Sequence, residues 1–266
     1  MWRAHGDDAR LARHALRLLP PVPSATDRIP AHAAEATLTA ALARVLRLHA
    51  IRATDPGLAA NLDLLSAWQA QRLSDTYADL AADKRYAGAI EFFRNDLYGG
   101  ADFTRRDADL ARVVPAMARL LPEAVILTVA RAVELNALAH ELDRALLAAF
   151  HRPATELTVA AYCRAYRAMG EFALRRRQIA LIGEVGSALD RYVRTPMVGA
   201  ALTMMRRPAR AAGLSALQDF LERGFAAFRA MRGAQAFLAL VAARETALNE
   251  AIIAGADAPF AEPLPR

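Results

Sequence analysis

Residues 123–150 read EAVILTVARAVELNALAHELDRALLAAF. Pro122 opens this stretch and His151-Arg152-Pro153 breaks the chain after Phe150, as expected for one long helix. Val125, Leu135, Leu138, Leu142 and Leu146 make one side of it apolar. Ile126, Val129, Val133 and Leu147 make a second side apolar. A helix that is apolar nearly all round belongs in the middle of a bundle. This segment therefore predicts an all-α fold built around 123–150.

The rest of the chain keeps the helical period on both sides of that segment. Upstream, a short helix is expected over 8–19, stopped by Pro20, Pro21 and Pro23, and a second from His32 to His49. Thr54-Asp55-Pro56 starts a third, with Leu58, Leu62, Leu65, Leu73 and Leu80 on one face. Tyr86 to Tyr98 forms a short helix ended by Gly99-Gly100. Thr104 with Asp107 has the spacing of a capping box for the next, which carries Pro115 inside it. Downstream, Thr155 opens a long helix to Arg194, with Gly170, Gly183 and Gly186 as bends. Thr195-Pro196 begins a Met-rich helix, and Ser215 with Gln218 has the spacing of another capping box. Gly233 separates a final helix ending near Ile253. The expectation is an irregular multi-helix bundle of about nine to ten helices with no sheet. Residues 1–30 form an N-terminal helix and proline-rich loop, 31–254 a single helical domain and 255–266 a flexible tail.

Composition narrows the function. Of 34 basic residues only Lys84 is a lysine, and the formal net charge is +6. Arginine cannot be neutralised, and its planar fork suits carboxylates and phosphates. A nucleic-acid role is disfavoured, because the Arg206, Arg207 and Arg210 cluster has no aromatic residues between its arginines as stacking platforms. Cys163 is the sole cysteine, which excludes an intrachain disulfide and a cysteine-based zinc site. The six histidines fall in no Glu-x-x-His or His-x-x-x-His pattern, so no metal and no cofactor is expected. Nucleophile-elbow, phosphate-loop and dinucleotide-binding motifs do not occur. No apolar run approaches the roughly 20 residues of a membrane span. The start of the chain, Met1-Trp2-Arg3-Ala4-His5-Gly6-Asp7-Asp8, lacks the apolar core of a signal peptide, so a cytoplasmic location is expected.

From Arg85 the sequence runs RYAGAIEFFRNDLYGGADFTRRDADLARVVPAMARLLP. The segment Glu91-Phe92-Phe93-Arg94-Asn95-Asp96-Leu97-Tyr98-Gly99, with Asp102-Phe103, Arg106-Asp107 and Arg112-Val113-Val114-Pro115 after it, resembles the FFLEELY-motif proteins of gammaproteobacteria. Asn95 and Asp96 stand where that family has two glutamates, and Arg94 replaces its first leucine. Later stretches, Met205 to Arg210 and Phe220 to Met231, are similar too. The resemblance implies a helical fold and a bacterial origin and brings no activity or catalytic residue.

Two residue groups stand out as binding candidates. Arg105, Arg106 and Arg112, with Tyr98 and Asp102, cluster about one helix start, where backbone N–H groups and guanidinium forks together attract anions. An arginine–aspartate lattice fixing the turn competes with that reading. Arg206, Arg207 and Arg210 form a basic surface that could meet an anionic membrane or an RNA backbone. Arg175-Arg176-Arg177 cannot share one face, since consecutive helical residues point about 100° apart, and this stretch reads as a solvated helix surface. His140 reads as a hydrogen-bonded core or boundary histidine, and Cys163 as a buried thiol. With no chemical signature, the reading leans away from an enzyme. It favours a helical binding or regulatory module that acts through a protein partner, a homo-oligomer contact or an apolar groove. An amphiphilic or anionic small molecule held between helices is the alternative, and peripheral membrane contact a weaker one.

Overall fold

A computed structural model of the protein describes residues 31–97 and 103–261. The predicted helix over 8–19 and the far end of the tail lie outside them. Among the described residues every regular element is helical: α1 Ala31–Thr54, α2 Pro56–Thr76, α3 Ala78–Ala82, α4 Ala87–Phe92, α5 Phe103–Leu120, α6 Glu123–Phe150, α7 Val159–Met169, α8 Phe172–Val193, α9 Pro196–Ala211, α10 Ser215–Ala230 and α11 Gln235–Ile253. A π-helical turn, Phe93–Leu97, extends α4, and a 3-10 turn, Ala154–Glu156, follows α6. The all-α bundle expected from the sequence is the fold observed.

The helix α6 is central, as its two apolar sides require. Ile126, Ala130, Val133 and Ala137 pack against Ala34, Leu38, Ala41, Leu42 and Val45 of α1 and Val114 of α5. Leu138 and Leu142 meet Leu181 of α8. Leu146 and Phe150 join Leu65 of α2, Tyr162, Cys163 and Tyr166 of α7 and Ile252 of α11. A further cluster forms without α6: Leu73, Ile90, Val193, Phe228, Met231, Phe237, Leu238 and Val241, drawn from α2, α4, α8, α10 and α11. Cys163 is the buried thiol expected.

Several local readings change. The long helix predicted from Thr155 is two helices, because Gly170 takes φ 70 and caps α7 in the left-handed region. Thr158, not Thr155, starts α7, its hydroxyl accepting from Ala161 N at 3.2 Å. Gln218 does not close a capping box with Ser215; its Nε2 donates to Leu202 O and to Glu222, both at 2.8 Å, and so ties α10 to α9. Asp55 does cap α2, accepting from Leu58 N at 2.9 Å. The chain beyond Gly255, read as a flexible tail, is docked as far as Phe260. That ring lies 6.0 Å from Trp68 and 6.2 Å from Tyr162, and Arg167 pairs with Asp257. Lys84 sits exposed in the turn between α3 and α4.

Arginine stitches helices together across the surface. The Nε and Nη2 edge of Arg44 grips Glu141, Arg176 grips Glu250, Arg177 grips Glu134 and Arg206 grips Glu222. Arg72 pairs with Glu245 at 2.7 Å and Arg244 with Asp79 at 2.6 Å. The exposed pairs among them each add little stability, whereas Arg72–Glu245 is mostly buried. Their effect is to fix helix order and to answer much of the positive charge within the fold.

Gly186 sets the distance between α8 and α11. A Cβ there would lie 2.4 Å from Leu238 Cδ2 and 3.0 Å from Cδ1, and Leu238 is itself buried in the core. Gly186→Ala should therefore cost about 1–3 kcal/mol through overpacking. Gly183→Ala, three residues earlier on the same helix with nothing within 4 Å, should add about 0.5–1 kcal/mol through helix propensity. Urea unfolding of the two variants measures both, and equal midpoints would contradict this account of the α8–α11 crossing.

Candidate functional site

The end of α8, the start of α9 and the turn from α10 to α11 enclose a half-open cleft of about 290 Å³ lined by Asp190, Val193, Arg194, Pro196, Phe225, Phe228, Arg229, Arg232 and Gly233. Its apolar side is Val193, Pro196 and the rings of Phe225 and Phe228. Gly199 on α9 admits Phe225: a Cβ at that position would lie 2.9 Å from the ring. The Arg229 guanidinium passes the same glycine, at 3.7 Å from that Cβ position.

The polar side is basic. Asp190 is buried, and it accepts from Arg194 through Oδ2 and from Ala234 N through Oδ1 at 2.9 Å. Arg194 is thereby answered. Arg85 spends its Nε on Met231 O at 2.6 Å and its Nη2 on Gly233 O at 3.0 Å, which pins the turn. Arg229 and Arg232 are exposed and form no ion pair among the described residues. They stand at the C-terminal end of α10, where the helix dipole favours positive charge. Arg232 has φ 50 and Gly233 has φ 125. The first is a costly conformation for a side chain as bulky as arginine, and such outliers gather at binding sites. Pro196, the first residue of α9, also lines the cleft. The preceding Thr195 turns its hydroxyl back to Arg191 O at 3.4 Å rather than capping α9, so that helix start faces the cleft without a side-chain cap.

A larger opening of about 580 Å³, between the start of α2 and α6, is shallower and electrically balanced. Asp55 and Glu141 line it beside Arg144 and Arg152. Glu141 is held by Arg44, and Arg152 pairs with Glu156.

The predicted arginine cluster divides, and two of its arginines take the aspartate partners that the competing lattice reading named. Tyr98 and Asp102 lie outside the described residues. Arg105 is exposed. Arg112 reaches across to Ala212 O at 3.1 Å and lies 3.6 Å from Asp109. Arg106 is buried, its guanidinium between the rings of Phe103 and Phe220 at 4.5 and 4.7 Å, with Nε donating to Asp107 at 2.9 Å. Of the predicted surface group, Arg206 is gripped by Glu222 and Arg210 lies 3.5 Å from Asp219; Arg207 is exposed.

Asp107 does not box with Thr104. Its carboxylate takes His49 Nε2 at 3.0 Å and Asn136 Nδ2 at 2.9 Å on one oxygen, and Arg106 on the other. Burial alone would raise its pKa, yet the hydrogen bonds and charges of His49 and Arg106 together hold it below the usual range. On its other side His49 Nδ1 lies 3.4 Å from the Thr104 hydroxyl. Hydroxyl, imidazole and carboxylate stand in the order used by nucleophilic catalysts. However, neither cleft includes these residues, and the set locks α1, α5 and α6 together. The sequence gives no signal for His49 or Asn136, which reach Asp107 from other helices.

His140 packs edge-on against His49 at 5.4 Å, and its buried Nε2 has no hydrogen-bond partner, contrary to the bonded core histidine expected. Burial, with the charge of His49, lowers its pKa to about 4. Arg175 corrects another expectation. It is not on a solvated surface but buried over the Tyr166 ring at 4.9 Å, donating to Gln178 at 3.1 Å, with Nε and Nη2 unpartnered. Nearby Asp143 accepts from Gln69 at 3.0 Å, and burial pushes its pKa up. Among the described residues no group of three or more His, Cys, Asp or Glu is placed to hold a metal. No described helix is long and apolar enough to cross a membrane.

A family model described as a domain of unknown function, DUF8198, matches residues 48–259. The chain belongs to that family. No curated protein and no solved structure matches it. The DUF8198 region begins one residue before His49 and takes in the whole Asp107 network and the whole basic cleft.

The neutral His140 has a measurable consequence. Its folded pKa of about 4 lies below the ordinary 6.5, so the unfolded chain binds the proton first and stability falls as pH drops below 6.5. Roughly 3 kcal/mol should be lost between pH 6.5 and pH 4 from this residue. Asp107, with its lowered pKa, contributes its own loss only below about pH 4. His140→Leu should flatten the pH 6.5–4 slope in denaturant titrations. An unchanged slope would mean that His140 is protonated in the folded protein.

Proposed function

We propose that this DUF8198 protein is a non-catalytic helical binding module that holds an anionic amphiphile in the cleft between α8, α9 and α10. The observation that carries this is the pairing of an apolar floor, Phe225, Phe228, Val193 and Pro196, with the guanidiniums of Arg229 and Arg232, which have no acidic partner among the described residues. Small-molecule sites combine a mostly apolar lining with a few polar groups that orient the ligand. The lining supplies no nucleophile paired with a base, and its one carboxylate, Asp190, is already hydrogen-bonded twice. Binding without chemistry is what such a lining supports. The kinship with FFLEELY-motif proteins read from Glu91 to Gly99, and a bacterial cytoplasmic setting, belong to the same proposal.

Calorimetric titration with octanoate and with octylamine tests it. Octanoate should bind and octylamine should not. Arg232→Gly should weaken octanoate binding while holding or raising folding stability by up to about 1 kcal/mol, because glycine accepts the positive φ without strain. Equal binding of the amine and the acid, or octanoate binding unaffected by Arg232→Gly, would rule the cleft out as an anion site.

A further inference from the structure

The charges around the cleft do not balance for a singly charged ligand. Four guanidiniums, of Arg85, Arg194, Arg229 and Arg232, surround the turn from α10 to α11, and Asp190 is the only carboxylate lining the cleft. Asp190 answers Arg194. Arg85 is bound to two backbone carbonyls, which satisfy its donors and leave its charge uncompensated. Three positive charges therefore remain, two of them on side chains with free forks. A carboxylate brings one negative charge and two oxygens. A phosphate monoester brings a charge of about −1.5 to −2 at neutral pH and three strong acceptor oxygens, which matches two arginine forks more closely. The first turn of α9 adds partial positive charge on the same side, and the C-terminal ends of α8 and α10 add partial negative charge, so the anion's contacts fall to the guanidiniums.

The apolar half sets the size of the ester group. A cavity of about 150 Å³ holds one benzene ring. A cleft of about 290 Å³ therefore takes one ring, or a short chain of similar bulk, beside a phosphate. The partly buried Phe225 ring, backed by the almost fully buried Phe228, supplies a surface on which a flat group can lie.

We propose that the ligand of this cleft is a phosphate monoester of a compact apolar or aromatic group, with the phosphate between Arg229 and Arg232 and the apolar group on Phe225 and Phe228. This rests on the reading of the cleft as an anionic-amphiphile site and gives the headgroup its chemistry. The lining contains no histidine, and its only carboxylate is tied to Arg194. A pH dependence between 5 and 7.5 would then come from the second ionisation of the phosphate, near 6.

The test is calorimetric titration of the full chain with phenyl phosphate, benzoate and inorganic phosphate at pH 7.5 and pH 5. Phenyl phosphate should bind at least about tenfold tighter than either comparison compound at pH 7.5, the loss of one charge-assisted contact being of that size. Its advantage over benzoate should shrink at pH 5. Arg229→Gln should remove about tenfold of the affinity at an unchanged Tm, while Arg207→Gln, outside the cleft, should change nothing. If benzoate binds as tightly as phenyl phosphate, the phosphate assignment falls and the amphiphile reading stands. If inorganic phosphate binds as tightly, the apolar floor has no part and the ester assignment falls. If none of the three binds and octanoate fails too, both readings fall together. Flotation with phosphatidylcholine vesicles, with and without phosphatidic acid, separates the sources. Recruitment by phosphatidic acid that phenyl phosphate reverses supports a lipid headgroup; phenyl phosphate binding without recruitment supports a free ester.

Discussion

The fold depends on burying one helix from nearly every direction. Helix α6 presents apolar side chains around most of its circumference, so α1, α5, α7 and α8 must all close on it, and α2 and α11 close over its far end. Few arrangements satisfy that demand with short connections. The polar residues on α6 then become obligations, since a buried polar group without a partner is costly. Asn136 is met by Asp107, Asp143 by Gln69, Glu134 by Arg177 and Glu141 by Arg44. Each of those bonds ties a different neighbour to α6, so the polar exceptions on an apolar helix also specify where its neighbours sit. His140 Nε2 and Glu123 Oε1 stay unmet, and burial with the charge of His49 lowers the His140 pKa.

The same division explains what could be read from the sequence. Apolar periodicity is a local property, and it gave the helices, the centrality of 123–150 and the buried Cys163. Helix ends were legible where a short-range signal decides them, as at Asp55-Pro56 and Thr195-Pro196. Thr104–Asp107 and Ser215–Gln218 have capping-box spacing, but Asp107 and Gln218 were recruited by residues on other helices, His49 and Asn136 in one case and Leu202 in the other. Spacing along the chain carries no information about such partners. Arg175 illustrates this most clearly: it belongs to a run of three arginines that looks solvated, yet the helix turns it inward onto Tyr166 while Arg176 and Arg177 find carboxylates outside.

The cleft was illegible for a related reason. Its residues come from two distant stretches of the sequence, 190–196 and 225–233, and each has an ordinary local explanation. Phe225 and Phe228 belong to the amphipathic stripe of α10, Arg229 lies in that helix's last turn and Gly233 is a breaker. Only their juxtaposition with Arg194, Asp190 and the start of α9 gives an apolar floor beneath unanswered charge. The arginine cluster offered as an anion-site candidate, at Arg106 and Arg112, is absorbed by packing and ion pairs. Arg106 lies between two aromatic rings, and Arg112 closes onto the carbonyl of Ala212. An arginine-rich composition thus supplies both helix-to-helix stitches and, where no acid answers, a site.

The near-absence of lysine has a practical side. Lys84 is the one side-chain amine in the whole protein, and it is exposed. Its neighbour Arg85 holds the carbonyls of Met231 and Gly233 and so braces the wall of the cleft. Amine-directed chemistry, whether a fluorophore, a crosslinker or a surface-coupling reagent, would reach a single side chain one residue from that brace. Apart from the α-amino terminus, the protein carries one built-in attachment point for an optical reporter, on the α3–α4 turn whose Arg85 braces the cleft.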